Sequence, residues 1–160
     1  MNVNGFSFLQ WTADDHSYYE PFFSKLGLNK VGTNHNKDVI WEWNNDAIQD
    51  PQHRGAGNIH FEVTTQRPDF IEQHGPGVSG IGLHFDDAKV AYQESINNGM
   101  VPAQMIGNTG QGIDGVTLFF ADSHSATKSS AIDHITHNCH IGNVDVWAKN
   151  YSDWFGMYQN

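Results

Sequence analysis

Phe22-Phe23-Ser24-Lys25-Leu26-Gly27-Leu28 closes a stretch of helical spacing with a glycine stop and runs on into an apolar residue. Tyr151-Ser152-Asp153-Trp154-Phe155-Gly156-Met157 does the same near the other end of the chain. In each, an aromatic residue is followed one helical turn later by an apolar one, and the glycine suits the left-handed position that ends a helix. Tyr92, Ile96 and Gly99 form a looser third instance. The surroundings of the three stops also match. Around the first, mixed aromatic and polar residues at 6–11 predict a strand, and Asp14 or Asp15 offers a helix cap. Tyr18, Tyr19, Phe22, Phe23 and Leu26 predict a helix over 16–26, in which Pro21 fits only near a late first turn. Strands follow at 29–33, 38–43 and 58–64, around a loop at 44–57. A short helix at 67–74 leads to the second set: a strand at 78–85, a helix at 88–98, and strands at 100–106 and 115–121 around a glycine-rich turn. A strand at 131–138 and a helix at 145–155 begin the pattern a third time.

The repeating unit is therefore βαβββ, at 5–64, at 77–121, and incomplete from 131 onward. Repeating units that cannot bury their faces alone pack against one another. The fold class read from this is α+β, with paired βαβββ units and an incomplete third unit. The expected domains are 1–121, a small polar linker at 122–130 (Asp122-Ser123-His124-Ser125-Ala126-Thr127-Lys128-Ser129-Ser130), and 131–160 as the first strand and helix of a truncated domain.

Composition supports a packed protein and narrows its partners. The 160 residues are 38% hydrophobic and 12% aromatic, enough for a real core. Eight Lys and Arg against 18 Asp and Glu give a net charge of −10, which argues against a nucleic acid or an anionic membrane as partner. The single cysteine, Cys139, allows no internal disulfide. No apolar run approaches the ~20 residues of a membrane span. Met1-Asn2-Val3-Asn4-Gly5 lacks the basic start of a signal peptide. A soluble, cytoplasmic protein is expected, and a homo-oligomer is compatible with the sequence.

The candidate chemistry is concentrated in histidines. His134-Ile135-Thr136-His137-Asn138-Cys139-His140 is the densest group of metal-capable side chains. On an unbroken strand, His134 and His140 share a face but stand about 20 Å apart, too far to hold one ion. His60, His84, Glu42 and Glu62 fall on predicted strands. Each could be a ligand or an acid–base group; the plainer reading is a hydrogen-bonded histidine and a solvent-facing carboxylate. Cys139 beside His140 makes a poor nucleophile, because adjacent strand residues point to opposite faces. Gly75-Pro76-Gly77-Val78-Ser79-Gly80 matches G-x-G-x-x-G, but a strand rather than a helix follows it, so it reads as a turn and not a nucleotide site. Trp11, Tyr18, Tyr19, Phe22, Phe23, Trp41 and Trp43 are read as core before they are read as a pocket. The residues alone name no catalytic group.

Ala131-Ile132-Asp133-His134-Ile135-Thr136-His137-Asn138, followed by Gly142-Asn143-Val144-Asp145-Val146-Trp147-Ala148, closely resembles the opening of the catalytic domain of 4-hydroxyphenylpyruvate dioxygenases. Gly5-Phe6-Ser7-Phe8, Leu26-Gly27-Leu28-Asn29-Lys30-Val31-Gly32, Glu72-Gln73-His74-Gly75-Pro76-Gly77-Val78 and Ala88-Lys89-Val90-Ala91-Tyr92 resemble the N-terminal domain of that family, in order. The resemblance implies the vicinal oxygen chelate fold of paired βαβββ units. It also implies Fe(II), an aromatic 2-oxo acid and O₂ as cofactor and substrates, with homogentisate and CO₂ as products. The family's iron is held by two His and one Glu, and its first ligand matches His134; His137 matches a position that is not a ligand. The other two ligands come from later in the family's second domain, beyond the end of this sequence. Overlaying the repeats puts Ser7, a position near Gly80 and one near Phe120 at the ligand positions, and none of them is a ligand type.

Three functions follow as expectations. The first is a partial dioxygenase chain, inactive alone. The second is a stand-alone structural or binding module. The third is a small metalloenzyme that completes its site across a dimer with His60, His84 or Glu62. A product of the hydroxymandelate type is left open beside homogentisate.

Overall fold

A computed structural model describes residues 3–43, 59–105, 107–122, 132 and 134–158. The loop expected at 44–57 lies outside the described residues, as does nearly all of the linker at 122–130.

The first unit is built as its sequence predicts. Strand β1 (Gly5–Thr12) is followed by helix α1 (Glu20–Lys25) and strands β2 (Leu28–Thr33), β3 (Val39–Trp43) and β4 (His60–Thr64). Helix α1 is shorter than the periodicity suggests, and the reason is Pro21. It sits in the first turn, where its missing N–H is harmless, so the helix cannot extend back to 16. The residues before it form turns instead, and the Ser17 amide donates to Asp15 Oδ1 at 2.6 Å.

Helix α2 (Pro68–His74) connects to the second unit: strand β5 (Gly77–Phe85), helix α3 (Ala88–Asn97), strand β6 (Thr109–Gln111) and strand β7 (Thr117–Asp122). Helix α3 starts at an Asp cap, with the Val90 amide donating to Asp87 Oδ1 at 2.9 Å. The strand expected at 100–106 contracts to a single bridge, Pro102 to Gly110, because proline has no N–H to continue a ladder. The glycine-rich turn instead contains β6. The repeated stops behave alike: Gly27, Gly99 and Gly156 have φ of 81°, 95° and 68°.

The described strands form one seven-stranded sheet, in the order β2-β3-β4-β1-β5-β7-β6. Strands β1 and β4 pair in parallel, as do β5 and β7, and the two units join through antiparallel β1 and β5. The architecture is thus α+β, with a complete βαβββ unit beside a second unit whose first strand after the helix is reduced to the Pro102–Gly110 bridge. Helices cover one face. Phe23 of α1 packs on Trp41, Phe61 and Val63, while α3 packs over Ile81, Leu83, Phe85, Leu118 and Phe120. Each large side chain buried there contributes roughly 1.5–3 kcal/mol.

The third repeat departs from expectation. No strand forms among the described residues of 131–138. A strand needs a neighbour for its N–H and C=O groups, and here side chains hold the segment instead. Helix α4 (Val144–Phe155) does form, and it lies on α3. Phe155 reaches Phe85 and Phe120, with ring centroids 6.1 and 5.9 Å away. The Ser95 hydroxyl donates to the Trp154 carbonyl at 3.0 Å, and Asn98 Nδ2 donates to the Asp153 carbonyl at 2.9 Å. Trp154 and Phe155 are buried in the second unit's core, with Trp147 and Tyr151 partly buried against it.

Candidate functional site

Two regions carry chemistry. The first is the sheet face opposite the helices. On β4, Phe61 and Val63 point to the core, so alternation sends His60 and Glu62 together to the open face. His60 Nε2 lies 3.0 Å from Glu62 Oε1, with side chains only 25% and 12% exposed. Glu62 is therefore not the solvent-facing carboxylate that its strand position suggests. The His60 ring stacks on Phe8 at 5.3 Å, and Phe8 lies 5.1 Å from Phe119. These rings rest directly on β5 because Gly80 and Gly82 leave room. A Cβ at Gly80 would stand 2.5 Å from the Phe119 ring, and one at Gly82 would stand 2.4 Å from Phe8.

Polar groups continue along this face. Gln10 pairs in register with Glu62, and the Ser79 hydroxyl donates to Gln10 Oε1 at 3.4 Å. Asp38 is 2% exposed; Asn34 Nδ2 donates to its Oδ2 at 3.1 Å, and its Oδ1 has no partner. Burial raises the Asp38 carboxyl above the usual carboxylate range, assisted by the like charge of Glu62 and opposed by hydrogen bonds from Thr64 and Asn34.

Arg67 anchors the neighbouring cleft. Its five N–H groups make five bonds: Nε and one Nη to Asp69, the other Nη to the Ser79 carbonyl and Thr117 Oγ1, and the Asp69-bonded Nη also to the Gly115 carbonyl. These bonds, at 2.9 to 3.4 Å, tie the start of α2 to β5 and β7. The cleft beside it, of about 590 Å³, is lined by Asn36, Gln66, Asp69, Thr117 and Phe119 among others.

The second region is the histidine-bearing segment before α4. His134 is exposed. His137 is half-buried, its Nδ1 3.4 Å from the Tyr151 hydroxyl. Burial lowers its imidazole below the usual histidine range, against the opposing pull of Asp114. Burial also pushes the Tyr151 phenol up to about 12. His140 Nε2 lies 3.6 Å from Asp114 Oδ1, a pairing at the surface. Asp114 itself has a φ of 46°, in the tight turn between β6 and β7.

The geometry brings His60 to Glu62, but it brings neither to His134. Among the described residues, no three His, Cys, Asp or Glu side chains stand together where they could hold one metal ion. His134 offers one donor, whereas a two-His, one-carboxylate iron site needs three. The described residues therefore do not make up a complete iron site. Sequence reasoning passed over Arg67 and Asp38. Arg67 carried a weak signal, being one of two arginines and standing directly before a proline.

Comparison with known proteins places these features. A family model described as the hydroxyphenylpyruvate dioxygenase N-terminal domain matches residues 1–138. The chain is 28% identical to a 4-hydroxyphenylpyruvate dioxygenase from Legionella pneumophila (strain Corby) over 183 aligned positions, covering 98% of this chain and 49% of that protein. Among solved structures, a variant of 4-hydroxymandelate synthase from Streptomyces coelicolor aligns with a TM-score of 0.66 at 14% identity, covering 99% of this chain and 54% of that one. A xylose isomerase-like TIM barrel/4-hydroxyphenylpyruvate dioxygenase fusion protein aligns with a TM-score of 0.67 at 14% identity, covering 96% of this chain and 28% of that one. At such identity the structures speak for the fold. The chain spans about half the length of the curated relatives it matches.

Proposed function

Because the chain belongs to the hydroxyphenylpyruvate dioxygenase N-terminal family, we propose that it forms the N-terminal domain, and the opening of the catalytic domain, of an Fe(II)-dependent 4-hydroxyphenylpyruvate dioxygenase. In this reading residues 1–121 are the metal-free domain, 122–130 the linker, and 131–160 the start of the catalytic domain. The observation that carries it is the extent of the family match, which runs through both βαβββ units and past His134. When Fe(II) is bound, it supplies the site at which O₂ and the keto acid meet, yielding homogentisate and CO₂. His134 is the one donor this chain contributes. A second His and a Glu come from the half of the enzyme that follows.

The chain's other residues build the scaffold. Arg67 fixes α2 to β5 and β7. The rings of Phe8, Phe119 and His60 lie over the central strands and crowd the open face beside Glu62. That crowding supports a structural role for the first domain and weighs against a site completed by His60 and Glu62.

Metal analysis and oxygen uptake test this reading. The purified 160-residue chain, given Fe(II), ascorbate and 4-hydroxyphenylpyruvate, is expected to retain no tight iron and to consume no oxygen. Adding the second half of a relative's enzyme as a separate polypeptide is expected to bring both. Stoichiometric iron and turnover by the chain alone would overturn the assignment. Product analysis of the reconstituted enzyme separates homogentisate from a hydroxymandelate.

A further inference from the structure

From the contacts between the ends of α3 and α4, we infer a modification site. Asn98, followed by Gly99, is a site of spontaneous deamidation that the docking of α4 holds in check, and its reaction releases that helix. Nothing in this site depends on iron.

Helix α4 ends at Phe155, so its last carbonyls have no amide one turn further along the helix. The Gly156 amide donates to the Ser152 carbonyl at 2.9 Å. The next two carbonyls are taken by side chains of α3. Asn98 Nδ2 donates to the Asp153 carbonyl at 2.9 Å, and the Ser95 hydroxyl donates to the Trp154 carbonyl at 3.0 Å. Asn98 is also the C-cap of α3. Its carboxamide therefore joins the C-terminal ends of two helices, where partial negative charge gathers. A carboxamide fits there because it offers N–H groups. A carboxylate does not fit, since it only accepts and is itself negative.

The sequence Asn-Gly favours exactly that conversion, because glycine has no side chain to shield its amide nitrogen. The Gly99 nitrogen attacks Asn98 Cγ, a C–N bond forms and ammonia leaves. Water then opens the resulting succinimide to aspartate or isoaspartate, and no other reactant is needed. Both residues are exposed, so water reaches them. In the folded chain each reacting group is already engaged. The Gly99 amide donates to the Ile96 carbonyl at 3.0 Å, and the Asn98 carboxamide is fixed on Asp153. Undocking of α4 frees the carboxamide to turn toward Gly99. Once it has reacted, the donor that held α4 is gone and a negative charge stands in its place. The reaction is thus a one-way release of α4 and of the histidine segment before it. Asn4-Gly5, the other Asn-Gly pair of the chain, serves as an internal control: Asn4 Nδ2 donates to Asp86 Oδ1 at 2.8 Å, a partner outside α4.

Peptide mapping by mass spectrometry tests this on the full 160-residue chain, held in mildly alkaline buffer and sampled over days. Asn98 is expected to deamidate at least about tenfold more slowly in the folded chain than in the same chain unfolded in urea. Phe155→Ala, which removes a buried anchor of α4, is expected to bring Asn98 to within about threefold of the urea rate, while Asn4 changes by less than about twofold. Ser95→Ala is milder, since it removes one of the two bonds to the α4 carbonyls. It is expected to accelerate Asn98 by about threefold, and it decides the matter if Phe155→Ala unfolds the chain and accelerates both asparagines. Asn98→Asp reproduces one product. It is expected to speed amide hydrogen exchange across α4 by at least about tenfold, and by more than Asn98→Ala does. Three results would each overturn the inference: Asn98 reacting as fast in the folded chain as in urea, Asn98 ignoring both weakenings of α4, or Asn98→Asp leaving exchange in α4 unchanged.

Discussion

Strand β4 and the segment from 134 to 140 carry the same kinds of side chain, and the protein treats them differently. On β4, His60 and Glu62 are two residues apart, so the pleat sets them side by side, and the sheet holds the pair under Phe8. In the later segment, His134, His137 and His140 occupy chain that has no sheet partner among its described residues. His137 turns toward Tyr151, His140 toward Asp114, and His134 stands exposed. Residue type alone did not decide which histidines meet. Strand alternation assembled one pair, and the missing ladder left the other three apart.

The sharpest way to break this contrast is to remove one histidine from each region. In an enzyme completed with its second half, His134→Ala is expected to lower iron affinity by at least about 100-fold, since on the proposed assignment it removes one of three protein donors. His60→Ala in the same enzyme is expected to leave iron content unchanged. Equal losses by metal analysis would erase the distinction between the regions.

Next in size is the docking of α4. Phe155→Ala removes a ring buried against Phe85 and Phe120 and is expected to cost about 3–5 kcal/mol, or roughly 10 °C in Tm. An unchanged melting curve would mean that α4 is not part of the first domain's core.

The histidine segment should also respond to pH. Burial lowers the folded-state pKa of His137, so the fold favours its neutral form. The stabilisation is present above the usual value of 6.5 and is lost as pH falls through the lowered folded value. Protease cutting between 134 and 143 is expected to accelerate over that interval, and Asp114→Asn, which removes the pull that raises the imidazole, to extend the interval to lower pH and deepen the loss. The opposite trend, with docking firmer in acid, would assign control to the His140–Asp114 pair instead.

Asp38 offers a test on the sheet side with the reverse sign. Its raised carboxyl favours the protonated form in the fold, so its contribution is present below the usual 3.8 and is lost as pH rises through the raised folded value. Asp38→Asn is expected to stabilise the protein at pH 7 by about 1 kcal/mol and to gain nothing below pH 3.8, as followed by urea titration. The smallest effect belongs to Glu62→Gln, which is expected to cost at most about 1 kcal/mol in the same titration, the range of a partly exposed pair.

Much of the fold was legible because local rules and packing agree. Helix stops at Gly27, Gly99 and Gly156, the strand of alternating apolar residues in β4, and the long apolar run of β5 each state their conformation within a few residues. The misreadings share a cause. Ile132, His134 and Ile135 were read into a strand over 131–138, yet a strand is a property of two segments, and the described residues of that stretch pair with no second one. Met100 to Ile106 reads as extended, but Pro102 limits its pairing. Glu62 was placed correctly opposite the core, while alternation could not say whether that side faces water or a cleft. Arg67 was invisible as an anchor because its partners Ser79, Gly115 and Thr117 lie 12, 48 and 50 residues away. The candidate iron ligand was legible only through family resemblance.

The central position of β1 has a consequence for synthesis. Its two neighbours in the sheet, β4 and β5, begin at His60 and Gly77, so the first strand of this sheet to be made cannot pair until β2 and β3 have already been made. At about 5–20 residues per second, Phe6, Phe8, Leu9 and Trp11 wait several seconds before either neighbour exists. During that interval they form an unpaired, aromatic-rich edge of the sort that recruits other chains. Nascent chains of this protein should therefore depend on chaperone cover between the synthesis of β1 and that of β4, and much less once β5 has closed the centre of the sheet.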